Sequence, residues 1–225
     1  MKKRNLWKLN NSGSSLVTVV VVVTFLTIIT TTLLYVAGMN FQMKATDQAT
    51  KECFYEAETG LEEMKTSIAE MVAECATKTR SQVMSRYAGI SGSARELLFQ
   101  SNFCNAMMDE WNNRATVPGA APDYEAALKS LVGTAYKSSV FVTAAGQGKM
   151  EVVSGELFIR GVQYIYTDSD GYTTIITTDF RILPPEYGYE SDVSIITPIP
   201  GETVDTTKKK VEVSEYVVYT NWIKQ

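Results

Sequence analysis

The chemistry open to this chain is narrowed first by a missing residue. None of its 225 residues is histidine. A Ser-His-Asp or Cys-His pair, an imidazole-ligated zinc and the usual neutral-pH proton shuttle are therefore excluded. Neither G-x-x-x-x-G-K-[ST] nor G-x-G-x-x-G occurs, which removes the glycine-rich phosphate loops. What remains is carboxylate and thiol chemistry. Asp168, Asp170 and Gly171 in the run D-S-D-G match the opening letters of a calcium loop, where hard oxygen ligands alternate along the chain. No bidentate acid follows at the spacing such a loop needs, because YTTIITT fills the chain up to Asp179. The same letters also serve a hairpin turn that needs positive φ. Asp123, Glu125 and the Glu62/Glu63 pair read as solvated carboxylates rather than a glycosidase pair. The reading is a chain without catalytic residues or cofactor, with Asp168 and Asp170 as its weak metal candidates.

The three cysteines, Cys53, Cys75 and Cys104, do not form a disulfide framework by count or spacing. Cys53 and Cys75 lie 22 residues apart, roughly 33 Å on a continuous helix and far outside bonding reach. Cys104 can meet Cys75 if a second helix folds back, and one thiol is left over in any case. The plainer reading is three small apolar residues in cores.

The elements that carry these residues are sharply segregated by polarity. Mean hydropathy is only -0.06, yet no charged residue occurs from Ser14 to Gln42. The run Leu16 to Met39 (LVTVVVVVTFLTIITTTLLYVAGM) gives roughly 36 Å of helix, enough to cross a hydrocarbon core of about 30 Å with some tilt. A strand of that length cannot satisfy its backbone in lipid. The threonines at 18, 24, 27, 30, 31 and 32 are tolerable because each hydroxyl can return to a carbonyl one turn back. Lys2, Lys3, Arg4 and Lys8 precede the span without any acid, which places the short N-terminus in the cytoplasm by the positive-inside rule. A cleaved secretory signal is the rival reading, but its apolar region spans only about 7 to 15 residues. Beyond the leader, 17 basic and 25 acidic residues leave a net charge near -8, which gives no sign of a nucleic-acid surface.

The chain continues as helix past the span. Ala57, Leu61, Met64, Ile68, Met71 and Cys75 recur at alternating spacings of 3 and 4, with Glu56, Glu62, Glu63, Glu70 and Lys78 on the opposite face. One helix is thus expected from about Leu16 to about Lys78. After it, Ser93 and Glu96 are placed as a capping box before Leu97, Leu98, Cys104, Met108 and Trp111. Asp123 is placed to cap a short helix running through Leu128, Leu131 and Val132. The remainder is β. Met150 to Val153, Glu156 to Tyr166, Tyr172 to Leu183 and Val211 to Ile223 read as strands, with T-D-S-D-G as the hairpin turn and Pro184, Pro185, Pro198 and Pro200 in a long connection. Lys208, Lys209 and Lys210 read as an exposed turn. The expected class is α+β: a long N-terminal helix packed on a C-terminal head of short helices and an antiparallel sheet. The divisions are a basic leader over 1–13, a membrane or filament-core helix over 14–42, its amphipathic continuation over 43–80, a mainly helical region over 81–148 and a β region over 149–225.

A basic leader, a Gly followed by a small residue and an uncharged helix that becomes amphipathic resemble the type IV pilins and pseudopilins. The segment AETGLEE, from Ala57 through Glu58, Gly60, Leu61 and Glu62 to Glu63, is similar to the AEAGLE-type signature of the PilX group of minor pilins. SGSSLVTVVVVV at Ser12 to Val23 likewise resembles that group's R-G-A-A-L start. The resemblance covers about residues 10 to 70. It implies cleavage by a prepilin peptidase between Gly13 and Ser14, assembly through the N-terminal helix with other pilins, and engagement of an assembly platform at the inner or cytoplasmic membrane. The head would be exported and carried on a surface filament. One departure matters: the family's glutamate at mature position five is here Thr18, and no acid precedes Asp47. Tip-located pseudopilins share that lack, which implies a priming or tip subunit. An uncleaved single-pass anchor carrying an extracellular binding or sensing head is the alternative that Thr18 keeps open.

Overall fold

The computed structural model describes residues 12–86, 89–90, 92–187 and 213–224. Its first element, α1, spans Ser12–Arg86, 75 residues with no proline. The chain divides into two compact units between Ala49 and Thr50.

In the first unit the helix keeps its apolar side chains outside. Leu16 is 69% exposed and Phe41 75%, and the large apolar residues between them are exposed as well. Five of the threonines behave as expected. Thr24, Thr27, Thr30, Thr31 and Thr32 donate their hydroxyls to Val20, Val23, Leu26, Thr27 and Ile28 carbonyls at 2.7–2.8 Å. These hydroxyls need no outside partner.

In the second unit α1 becomes the spine of the core. Ala57, Leu61, Met64, Ile68, Met71 and Cys75 are all buried, as their spacing requires. The helix runs past the expected Lys78 to Arg86, because Thr79 and Val83, both fully buried, continue the stripe. Thr79 is polar, so the stripe ends there to the eye but not in the packing.

The second helix, α2, spans Gly92–Ala115 and buries Phe99, Phe103, Met107, Trp111 and Ala115, a row repeating every four residues. Its inner face differs from the sequence reading. Leu97 is 68% exposed while the two phenylalanines take the core. The capping-box role of Glu96 is also corrected: its carboxylate accepts from Gln100 Nε2 at 3.1 Å and from the backbone N–H of Tyr187 at 2.9 Å. It ties α2 to the chain at the end of the sheet. Asp123 does cap α3, Tyr124–Lys129, accepting from the Ala126 N–H at 2.9 Å. That helix stops before Leu131 and Val132, which are nevertheless buried in the following turn.

Five antiparallel strands form one sheet. They are β1 (Val140–Val142), β2 (Met150–Val153), β3 (Glu156–Thr167), β4 (Thr173–Ile182) and β5 (Val217–Lys224), in the order β1-β3-β4-β5, with β2 also paired to β3. The hairpin β3–β4 closes through T-D-S-D-G in register, Thr167 opposite Thr173. In β4, Thr174, Ile176, Thr178, Phe180 and Ile182 face the core and alternate with half-buried neighbours. β1 is too short, at three residues, to announce itself in sequence. The last strand begins at Val217 rather than Val211, because Val213–Tyr216 forms a 3₁₀ turn. Lys2 to Lys8, Pro198, Pro200, Lys208 to Lys210 and Val211 lie outside the described residues. The class is α+β, as the sequence required.

One carboxylate joins two irregularities of the sheet. β3 bulges between Ile159 and Val162, where Gly161 has φ 68, and the β4–β5 register shifts between Thr177 and Asp179, opposite Asn221 with φ 54. Asp179 Oδ1 accepts from the Gly161 N–H at 2.7 Å, and its Oδ2 accepts from Asn221 Nδ2 at 2.6 Å. A bulge leaves a ladder group unpaired, and this side chain replaces the missing partner on both sides. Replacing Asp179 with Ala removes both bonds, and the loss is expected to be about 1–3 kcal/mol. Urea unfolding followed by circular dichroism measures it; an unchanged midpoint would show that the bulges hold without the carboxylate.

Candidate functional site

Two features bear on function: the exposed apolar helix, and the seam where AETGLEE meets the rest of the second unit. The first is defined by side chains that water does not accommodate. Monomeric soluble proteins seldom expose a contiguous apolar patch beyond a few hundred Å², and here large apolar side chains stand exposed along the helix from Leu16 to Met43. By length and composition the helix can cross a membrane. Gly13 and Ser14 are helical in backbone, at the start of α1.

The seam is built from small residues on α1. Ala57 and Leu61 are fully buried, and Gly60 lies directly beneath Tyr164 of β3. A Cβ at Gly60 would fall 2.3 Å from the Tyr164 hydroxyl oxygen and 2.4 Å from its Cζ, closer than real Cβ contacts. Glycine is thus required here by the approach of a tyrosine ring, not by helix geometry, which it disfavours. Two acids of this stretch hold the loop between α3 and β1. Glu63 Oε1 accepts from the Gly133 N–H at 2.9 Å, and Glu56 Oε2 accepts from the Tyr136 hydroxyl at 3.4 Å. Glu58 is half-buried. Glu62 is exposed and lies 3.9 Å from Lys65, whose ammonium sits 5.1 Å from the Tyr219 ring centre. Burial drives the Tyr164 phenol far above its ordinary range, and burial together with Glu56 raises Tyr136. Both shifts favour the neutral phenol: the Tyr136 hydroxyl donates to Glu56, while Tyr164 packs its ring on Gly60.

Asp168 and Asp170 are placed on the hairpin turn. Asp168 Oδ1 accepts from the N–H groups of Asp170 at 2.9 Å and Tyr172 at 2.8 Å, and Gly171 has φ 88. Burial opposes ionisation of Asp168, but the N–H of Tyr172, the Cys53 thiol and the N–H groups of Asp170 and Gly171 outweigh it and hold its carboxyl below the usual range. Asp168 Oδ1 thus serves the N–H groups of the turn, the hairpin use of these letters that the sequence offered beside the calcium one. Among the described residues no three His, Cys, Asp or Glu side chains converge as a metal set. Cys53 donates to the Tyr172 carbonyl at 3.4 Å, fastening the hairpin to α1. Asp123 is a helix cap and Glu125 pairs with Lys129 at 2.5 Å.

All three cysteines are free and buried, so the optional Cys75–Cys104 link is not made. Burial first, and then the neighbouring Glu110 charge, pushes the Cys75 thiol up to about 11. Sequence reading missed Tyr136, Gly133, Tyr164 and Asp179. Gly60 was the available signal, since glycine inside a long helix marks a close approach. The indole of Trp111 was likewise unforeseen as a donor, to the Gly148 carbonyl at 3.0 Å in the core.

No protein-family model, curated protein or solved structure matches this chain.

Two outcomes follow from the seam. Gly60→Ala, ordinarily stabilising in a helix by about 0.5–1 kcal/mol, is expected to destabilise the fold by about 1–3 kcal/mol through overpacking against Tyr164. A double-mutant cycle with Tyr164→Leu should recover most of that loss, and additive effects would exclude the clash. For Cys75, the folded thiol stays protonated while the unfolded one ionises above about pH 9. The folded state then binds more protons, so its stability is complete below pH 9 and is lost as pH rises toward 11. Comparing urea midpoints at pH 7 and pH 10.5 for the parent and Cys75→Ala isolates this contribution; equal pH slopes would refute it.

Proposed function

We propose that this chain is a non-catalytic minor pilin or pseudopilin that takes part, as a priming or tip subunit, in assembling a type IV pilus-like filament. The observation that carries the reading is the division of labour along α1. Its first part exposes an uncharged apolar surface, and its second part buries a regular stripe in an α+β core. A helix built this way suits a subunit that rests in a membrane and is then withdrawn into a bundle of like helices. The basic residues Lys2, Lys3, Arg4 and Lys8 support a cytoplasmic N-terminus with the rest exported. The Ser12-Gly13-Ser14 junction and AETGLEE support processing by a prepilin peptidase and packing against other pilins. Thr18 supports the priming or tip role, since without an acid at that position no carboxylate is available to neutralise a buried amino terminus in the filament core.

A second reading has one observation in its favour. Thr18 suits equally a single-pass anchor that is never cut and that presents an extracellular binding or sensing head.

The two readings separate at the junction. Intact-mass and N-terminal peptide analysis of the protein from its native membrane is expected to find Ser14 as the first residue. Gly13→Leu should abolish that cleavage while leaving membrane insertion unchanged. Finding Met1 to Lys8 still attached in the presence of a working peptidase would sink the pilin reading and leave the anchored one.

A further inference from the structure

The uncharged part of α1 is longer than a bilayer needs. Large apolar side chains stand exposed from Leu16 to Met43, and the first charge after them is Lys44. That run gives roughly 42 Å of helix against a hydrocarbon core of about 30 Å. Submerging all of it takes a tilt of about 45°, outside the roughly 0–40° that membrane helices adopt. Part of the run therefore stands outside the hydrocarbon whenever the helix spans it.

Composition says which part. Residues 16–34 are Val, Leu, Ile, Phe and Thr alone, and Thr24, Thr27, Thr30, Thr31 and Thr32 close their hydroxyls on carbonyls one turn back. They make roughly 28 Å of helix, close to the thickness of the core itself. Residues 35–43, YVAGMNFQM, bring in Tyr35, Asn40 and Gln42. Among the described residues neither Asn40 nor Gln42 makes a return bond like those of the threonines. At about 100° per residue the two lie about 200° apart around the helix, so no rotation hides both from lipid. An amide without a partner is costly in hydrocarbon, whereas headgroups and water satisfy it. The exposed ring of Tyr35 opens the same stretch, and amphipathic rings favour headgroup depth.

We propose that residues 16–34 alone fill the hydrocarbon core, and that residues 35–43 lie in the phospholipid headgroup layer on the side of the second unit. Tyr35 marks the boundary. The carboxamides of Asn40 and Gln42 donate to lipid phosphate and ester oxygens, and the Lys44 ammonium faces the phosphates. The inference rests on the membrane reading of α1, which the filament subunit and the uncleaved anchor share, and it says where along α1 the bilayer ends.

The test uses the full-length chain in phospholipid nanodiscs and the rate at which a water-soluble maleimide labels single introduced cysteines. The parent, whose three thiols are buried, gives the background. Tyr55→Cys, at an exposed position of the second unit, sets the rate in open water. Val22→Cys, Ile29→Cys and Leu33→Cys are expected to label at least ten-fold more slowly than Met39→Cys and Phe41→Cys. Asn40→Leu with Gln42→Leu should draw the adjoining turn into the core and slow Phe41→Cys at least ten-fold. The proposal is overturned, with the membrane reading intact, if Met39→Cys and Phe41→Cys are as protected as Ile29→Cys, or if the leucine pair leaves Phe41→Cys as fast as before. If Val22→Cys and Ile29→Cys label as fast as Tyr55→Cys, the membrane reading itself fails and the proposal falls with it.

Discussion

The fold depends on a property of the α-helix that no side chain supplies: it satisfies its own backbone hydrogen bonds in any surroundings. Over 75 residues that closure lets one element present two unlike surfaces. Where the side chains are Val, Leu, Ile and Thr without charge, the helix presents an apolar cylinder, and its hydroxyls are folded back onto the preceding turn. Where Ala57, Leu61, Met64 and Ile68 recur, the same helix is the inner face of a core. A strand or an irregular segment of the same composition could not cross a hydrocarbon core, because its amide groups would be left unpaired there.

The second unit is arranged around access to that helix. Gly60 lowers the surface of α1 so that the Tyr164 ring can rest on it, and Tyr164 fixes the level of β3. Around this contact, Glu63 holds Gly133, Glu56 holds the Tyr136 hydroxyl and Cys53 holds the hairpin at Tyr172. Each bond joins α1 to a segment at least 64 residues away in sequence along with Ser67, whose hydroxyl donates to Leu131. On the far side, Asp179 allows β3 and β5 to depart from regular pairing without leaving the Gly161 N–H unpaired. Side chains with polar ends thus fix the alignment of elements whose attraction is apolar and non-directional.

Much of this could be read in advance wherever one local rule governed. The stripe of α1, the cap at Asp123 and the extents of β2, β3 and β4 followed from periodicity and turn chemistry alone. The misses share a cause. Leu97 and Phe99 are both apolar and two positions apart, and only the position of the sheet and α1 selects Phe99 for the core. Glu96 had the spacing of a capping box, but the Tyr187 N–H arrived from a distant segment and took the carboxylate. At Asp168 and Asp170 the letters served two readings, and the turn is the one the fold displays, with Asp168 accepting from the Asp170 and Tyr172 N–H groups.

The sequence by itself determined the order of a basic leader, an uncharged span and an acidic remainder, and with it the α+β class, because charge and hydrophobic period act residue by residue. It also determined that histidine chemistry has no part here. The tertiary structure alone decided why Gly60 is glycine, which row of α2 is buried, where Asp179 spends its two oxygens and that Cys75 and Cys104 remain thiols. These are statements about neighbours brought together by the fold, and spacing along the chain carries no information about distance across it.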